Sequence, residues 1–157
     1  MHTSMPAPAA ARSAAQTARL VVGLFKLRIG VLIMVTALVG LAVTPGAAPS
    51  LLALAVLGAS ASAGAFNQYH EAESDRLMAR TRGRAFASGA LPRRPAWLLL
   101  FAAMLALSVG TAWWVLNAGA AAYIFLGAFF YGVVYTVWLK RRSWTNIVIG
   151  GLSGSFA

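Results

Sequence analysis

Long apolar runs separated by short basic clusters constrain this chain more than any other feature. Of its 157 residues, 60% are hydrophobic and only 10% are charged, whereas a typical soluble domain has about 25% charged residues. The apolar core of a bilayer is spanned by about 20 helical residues, and backbone in lipid must satisfy its own hydrogen bonds. We therefore predict an all-α fold, a polytopic transmembrane helical bundle.

The runs predict four spans and the start of a fifth. The segments 44–50 and 117–120 are expected to be turns between spans, since they contain proline, glycine or asparagine. Residues 1–19 are rich in Ala, Ser and Pro and are predicted to be a disordered N-terminal tail, and 20–157 to be one membrane domain. The spans are expected at about 29–43 (with an amphipathic lead-in from 20), 51–75, 96–116, 121–139 and from 145 onward.

The positive charges predict the orientation. All thirteen basic residues fall before or at the opening of span 1, between spans 2 and 3, or between spans 4 and 5, which is one side of the predicted bundle. The positive-inside rule makes that side cytoplasmic, with the N-terminus inside. The short tail favours a bacterial inner (plasma) membrane over a mitochondrial one. Nucleic-acid binding is rejected despite the net charge of +10, because the bases separate runs of bilayer length.

The acidic residues are concentrated at the end of span 2. The chain has three of them, Glu71, Glu73 and Asp75. Asn67, Glu71 and Asp75 are four residues apart and fall on one helical stripe that drifts by about 40° per step, while Glu73 points elsewhere. Carboxylates at membrane depth are costly and usually functional. Oxygen ligands without His or Cys suit Mg²⁺, so this stripe predicts a magnesium site.

An arginine-rich loop, "RLMARTRGR", follows the stripe. Arginine side chains bind phosphate oxygens bidentately, so the two features together predict a Mg²⁺–diphosphate site on the cytoplasmic side. An alternative stays open from spacing alone. In it the acidic residues form a helix end that pairs with Arg76, Arg80 and Arg82 at the membrane interface.

Three stretches resemble a known family. The pattern formed by Asn67, Glu71, Asp75 and the following "MARTRGR" resembles the first aspartate-rich motif of the UbiA-type intramembrane prenyltransferases. The stretch "LFKLRIGVLIMVTALVG" resembles their first span. The stretch "YTVWLKRRSWTNIVIGGLSGSF" resembles the protohaem IX farnesyltransferase branch of that family. The resemblance covers about residues 20–157.

The resemblance implies a fold of about nine helical spans around a central cavity, and a reaction between farnesyl diphosphate and haem b that gives haem O. It implies Mg²⁺ as the cofactor and haem A synthase as a partner. Site residues transfer by match to the motif. Asn67, Glu71 and Asp75 would be the catalytic Mg²⁺ ligands, and the diphosphate contacts would be Arg80, Arg84, Lys26, Lys140 and Arg141, of which the last two are alternatively contacts of a haem propionate.

The match also departs from the family pattern. Glu71 stands where many relatives have Asp, and "AFASG" replaces "PLPSG" after Arg84, which is expected to loosen the arginine loop. No second acidic motif is present, so the chain is predicted to be an N-terminal part that is inactive by itself. Two alternatives stay open: a UbiA-type enzyme with an aromatic acceptor such as 4-hydroxybenzoate, and a non-catalytic membrane subunit or small transporter.

Overall fold

A computed structural model describes residues 13–42, 49–140, 142 and 146–156. Within these ranges the chain forms helices joined by short connections and contains no strand, which confirms the all-α prediction. The helices are α1 (Ala14–Leu24), α2 (Leu27–Ala42), α3 (Pro49–His70), α4 (Ala72–Leu77), α5 (Ala96–Val115), α6 (Ala118–Phe129), which continues as a π-helix (Phe130–Leu139), and α7 (Asn146–Ser155).

The helices agree with the predicted spans. Among the described residues, three segments are long and apolar enough to cross a membrane: Pro49–His70, Ala96–Val115 and Ala118–Leu139. A fourth is added if α1 and α2, which are bent by 45° at their junction, count as one span. Helix α7 begins close to the predicted start of the fifth helix. The chain is therefore a multi-pass membrane protein. Most of the predicted turn at 44–50 lies outside the described residues.

The first span is broken, which the sequence pattern did not predict. Helix α1 begins at Ala14, where Ser13 and Gln16 form a capping box, so it starts inside the stretch assigned to the N-terminal tail; residues 1–12 of that tail are not described. The turn between α1 and α2 places Lys26 at a φ of 45°. A left-handed backbone costs a non-glycine residue about 1–2 kcal/mol, so contacts from elsewhere must hold this turn.

Helix α3 is the centre of the bundle and packs against α2, α5 and α6. Its middle, the stretch "GASASAGAF", is rich in small residues, most of them buried. Small side chains allow helices to approach closely in a membrane. At the contact with α5, the buried Ser62 hydroxyl donates a hydrogen bond of 2.7 Å to the carbonyl oxygen of Phe101. This bond attaches the middle of α3 to α5.

The predicted fourth span is not a uniform α-helix. Asn117 caps α6, because its side-chain oxygen accepts a hydrogen bond of 2.7 Å from the Ala120 N–H. From Phe130 onward the helix widens into a π-helix of 10 residues, shown for example by the 3.0 Å bond from the Lys140 N–H to the Tyr135 carbonyl five residues earlier. Such π-helical segments are rare in proteins, and those that occur are often found at functional sites. The widening changes which side chains face α3.

The loop that follows α4 is anchored by an aromatic side chain. Phe86 is only 1% exposed and packs edge-to-face against Tyr69 and Trp97, with ring centroids 5.4 and 5.7 Å apart. The Arg76 side chain also donates a hydrogen bond of 2.9 Å to the Ala87 carbonyl. In place of the prolines, "AFASG" therefore supplies a phenylalanine that anchors this loop in the core, and the expected loosening stays a prediction.

Replacing Phe86 by alanine is expected to lower the free energy of unfolding by about 3 kcal/mol, because it leaves a cavity under the loop. Leu77→Ala is the control, since Leu77 is 89% exposed and its truncation leaves no cavity. Unfolding of both variants in detergent micelles, followed by circular dichroism, provides the measurement. Equal losses in the two variants would show that Phe86 does not anchor the loop.

Candidate functional site

The predicted stripe is present and buried. Asn67 is 1% exposed, and Glu71 and Asp75 are each 4% exposed, whereas the side chain of Glu73 is 75% exposed. The chain leaves α3 at His70, but backbone bonds from Glu71 to Asn67 (3.0 Å) and from Asp75 to Glu71 (2.9 Å) preserve the helical spacing across the junction. Two carboxylates and one amide therefore lie on a single buried face.

Both buried carboxylates are paired with cationic side chains from other elements. The Lys140 ammonium, at the end of the π-helix, donates a hydrogen bond of 2.6 Å to Glu71 Oε2. The Arg84 guanidinium, on the loop after α4, donates a bond of 2.7 Å to Asp75 Oδ2. Thr81 fixes that loop, because its hydroxyl donates to the Asp75 carbonyl at 3.1 Å. A carboxylate excluded from water needs such a partner.

Asn67 connects the stripe to two further elements. Its Oδ1 accepts a hydrogen bond of 2.7 Å from the Lys26 ammonium, and its Nδ2 donates a bond of 3.1 Å to the Thr136 hydroxyl. The same ammonium donates to the Tyr131 hydroxyl at 3.1 Å. The sequence analysis missed Tyr131 and Thr136. They lie in an apolar run with no charge to mark them, and the π-helix decides which face they occupy.

The ion pairs differ from those of the interfacial alternative. That hypothesis paired the acidic residues with Arg76, Arg80 and Arg82, but the observed partners of the carboxylates are other residues. Arg80 and Arg82 are exposed on the loop. Of the predicted diphosphate contacts, the structure brings Lys26, Arg84 and Lys140 to the stripe. Arg80 is exposed instead, and Arg141 lies outside the described residues.

An apolar cavity begins beside this polar cluster. It has a volume of ≈ 220 Å³ and lies between α2, α3, α6 and α7, with Lys26 and Tyr131 among its lining residues. Along α3 the lining extends from Leu52 to Gly64, a length of about 18 Å at 1.5 Å per residue. Most of the other lining side chains are hydrocarbon, including Ile33. A molecule with an anionic head and a long apolar tail matches this arrangement.

The donor atoms of the stripe fit a hard cation by their chemistry. Carboxylate and amide oxygens are the ligands that Mg²⁺ prefers, and Asn67, Glu71 and Asp75 offer them on one face. Among the residues that the structure describes, no three His, Cys, Asp or Glu side chains form a metal-binding group. Each of these three side chains contacts a lysine or arginine instead, so metal binding by all three would require those cations to exchange partners.

The sequence profile of the UbiA prenyltransferase family matches residues 33–157. The chain belongs to this family. It is 51% identical over 144 residues to protoheme IX farnesyltransferase 2 of Paramagnetospirillum magneticum, covering 88% of this chain and 50% of the relative. It is 42% identical over 143 residues to protoheme IX farnesyltransferase of Hyphomonas neptunium (86% and 45%), and 45% identical over 140 residues to that of Parvibaculum lavamentivorans (85% and 43%).

These comparisons confirm the resemblance to the UbiA-type prenyltransferases, and the matched relatives carry the name of the branch that the last stretch of the sequence resembles. The chain spans about half the length of the curated relatives it matches. No solved structure gives a significant match to it. The family assignment therefore rests on sequence similarity. The arrangement of the stripe and the cavity is known from this structure.

Neutralising a buried carboxylate is expected to lower the free energy of unfolding more than neutralising an exposed one. Asp75→Asn removes the charge that Arg84 faces and is expected to lower the free energy of unfolding by about 2 kcal/mol. Glu73→Gln removes an exposed ion pair with Arg93, 3.2 Å long, and is expected to cost about 0.5 kcal/mol or less. Denaturant unfolding in micelles measures both variants.

A further variant tests whether the cost of Asp75→Asn arises from its partner. Combining it with Arg84→Met removes the guanidinium that was left facing a neutral amide, so the double variant is expected to regain part of the stability. If the double variant loses the sum of the two single losses, the pair is not the source of the effect.

Proposed function

We propose that this chain is part of a protohaem IX farnesyltransferase. Such an enzyme transfers a farnesyl group from farnesyl diphosphate to a vinyl group of haem b and gives haem O. The names of the matched relatives support this proposal. The observation that carries it is the buried anionic stripe with its three cations at the end of an apolar cavity. Since the chain spans about half the length of those relatives, we assign it a part of the site.

In this proposal the cations change partners when substrate binds. The diphosphate of the substrate carries more negative charge than one carboxylate, and guanidinium and ammonium groups bind phosphate oxygens well. Lys26, Arg84 and Lys140 would turn toward it. Asn67, Glu71 and Asp75 would then be free to hold Mg²⁺, which supplies charge neutralisation of the leaving diphosphate. Arg80 and Arg141 are assigned to the same diphosphate from the family motif alone.

The cavity supports the proposed chemistry. The bond between the first farnesyl carbon and the diphosphate oxygen breaks, and its electron pair leaves with the diphosphate. The vinyl π electrons of haem b then form the new carbon–carbon bond with the allylic cation. Water adds to the carbocation left on the former vinyl group and releases a proton. Apolar lining such as Ile33 limits contact between water and the allylic cation before the vinyl group reaches it.

The membrane placement belongs to the same proposal. We place the polar cluster at the cytoplasmic face of a bacterial inner membrane, with the N-terminus inside, on the strength of the one-sided basic residues. Haem A synthase is the partner that would receive the product. An aromatic acceptor such as 4-hydroxybenzoate is disfavoured, because the relatives reported above are named for protohaem IX.

Binding of farnesyl diphosphate is the first test. The purified chain in lipid nanodiscs is expected to bind it in the presence of Mg²⁺ and to lose most of this binding when EDTA is added. Asp75→Ala is expected to weaken binding by more than about tenfold, as loss of a metal-site residue does. Glu73→Ala is the matched control and should leave the dissociation constant unchanged. Unaltered binding in Asp75→Ala would favour the non-catalytic membrane subunit.

The acceptor is tested separately. Membranes from cells that express the protein from its native gene are incubated with farnesyl diphosphate, Mg²⁺ and either haem b or 4-hydroxybenzoate. Mass spectrometry is expected to find haem O in the first mixture and no prenylated acid in the second. The reverse pattern would preserve the prenyltransferase activity but overturn the assignment of haem b.

A further inference from the structure

We propose that Gln68 is a positioning residue that places the Lys26 ammonium in the candidate site. This inference rests on the proposed function and deepens it, since Lys26 is one of its three buried cations. Asn67 and Gln68 are consecutive residues of α3 and therefore project about 100° apart around the helix. Asn67 contacts the Lys26 side chain, and Gln68 contacts the backbone at the end of α1, just before Lys26.

The Gln68 amide holds the end of α1. Gln68 is 4% exposed, and its Nε2 donates hydrogen bonds to the carbonyl oxygens of Gly23 (2.9 Å) and Leu24 (3.1 Å). Carbonyls in the last turn of a helix lack an intrahelical N–H partner, and the two protons of a side-chain amide can satisfy two of them. Leu24 is itself fully buried, so the end of α1 is attached to α3 at both its backbone and its side chain.

The turn that follows needs this support. Lys26 has a φ of 45°, a conformation that residues with a Cβ rarely adopt. The turn packs closely against α3 at Gly64, one turn before Gln68: a Cβ there would be in van der Waals contact with Lys26 Cβ at 3.5 Å and with the Phe25 carbonyl oxygen at 3.6 Å. A larger side chain at Gly64 would push the turn away from α3. Gly64 and Gln68 together define where this turn sits.

The position of the turn decides where the ammonium goes. From this backbone Lys26 Nζ reaches Asn67 Oδ1 at 2.7 Å and the Tyr131 hydroxyl at 3.1 Å. If the turn relaxed to an ordinary helical φ, the direction of the Lys26 side chain would change and both contacts would be lost. Gln68 does not itself touch the carboxylates of the stripe in these contacts, so its influence on the site passes through Lys26.

Lysine labelling tests the inference without any ligand. The chain contains two lysines, Lys26 and Lys140, so one serves as the internal control for the other. Gln68→Met removes both donors at similar side-chain volume. Labelling with acetic anhydride, followed by mass spectrometry, is expected to show Lys26 modified at least about threefold faster in Gln68→Met than in wild type, with Lys140 unchanged. An unchanged Lys26 rate would overturn the proposal.

A double-mutant cycle tests the link to diphosphate. Gln68→Met and Lys26→Met are each expected to weaken Mg²⁺-dependent binding of farnesyl diphosphate by about tenfold, and the double variant to be no weaker than Lys26→Met. Gln68→Met combined with Arg84→Met should be additive, because Arg84 is held by a different loop. Additive losses in the Lys26 pair would show that Gln68 acts through general stability, and would overturn the inference.

The two levels of the proposal fail in different ways. If wild type shows no Mg²⁺-dependent binding, the proposed function fails, while lysine labelling still decides the role of Gln68. If Gln68→Met does not fold, Gln68→Asn replaces it in both experiments, since it keeps the donors one methylene short of the carbonyls. Its Lys26 labelling rate is expected to lie between those of wild type and a chemically unfolded sample, and a wild-type rate would contradict the proposal.

Discussion

The pairing of buried carboxylates with cations from distant parts of the chain is the interaction on which the rest of this structure depends. Glu71 and Asp75 are excluded from water on a face of the central helix stack, and an uncompensated charge there would be strongly destabilising. Lys140 arrives from the π-helix and Arg84 from the loop after α4. The ends of three elements are thereby held together at one polar cluster.

The apolar part of the bundle forms a cavity directly beside this cluster. Small residues along α3 let α2, α5 and α6 approach closely, and α2, α3, α6 and α7 enclose the cavity that begins near Lys26 and Tyr131. A polar cluster at the end of a hydrocarbon-lined space separates two environments within a few ångströms. In the proposed function, this separation would place the charged leaving group in the polar cluster and keep water away from the allylic cation.

Much of the architecture was predictable because its causes are local. Apolar runs of bilayer length predicted the spans, and helical spacing predicted that Asn67, Glu71 and Asp75 share a face that Glu73 does not. The break at Lys26 was not predictable, since the end of α1 that precedes it is bonded to Gln68, which is distant in sequence. The π-helix was missed for a related reason, because a change of helix type leaves hydrophobicity unchanged.

The sequence by itself determined the class of the protein, the number and approximate places of its spans, the family motif and the stripe of oxygen donors. These depend on composition and on spacing along one helix. The family resemblance named five candidate cations, and the tertiary structure decided that Lys26, Arg84 and Lys140 meet that stripe. The chain has thirteen basic residues, and selection among them depends on where a broken helix, a π-helix and an anchored loop place their ends. Such placement results from packing between segments that lie far apart in the sequence, so no local pattern encodes it.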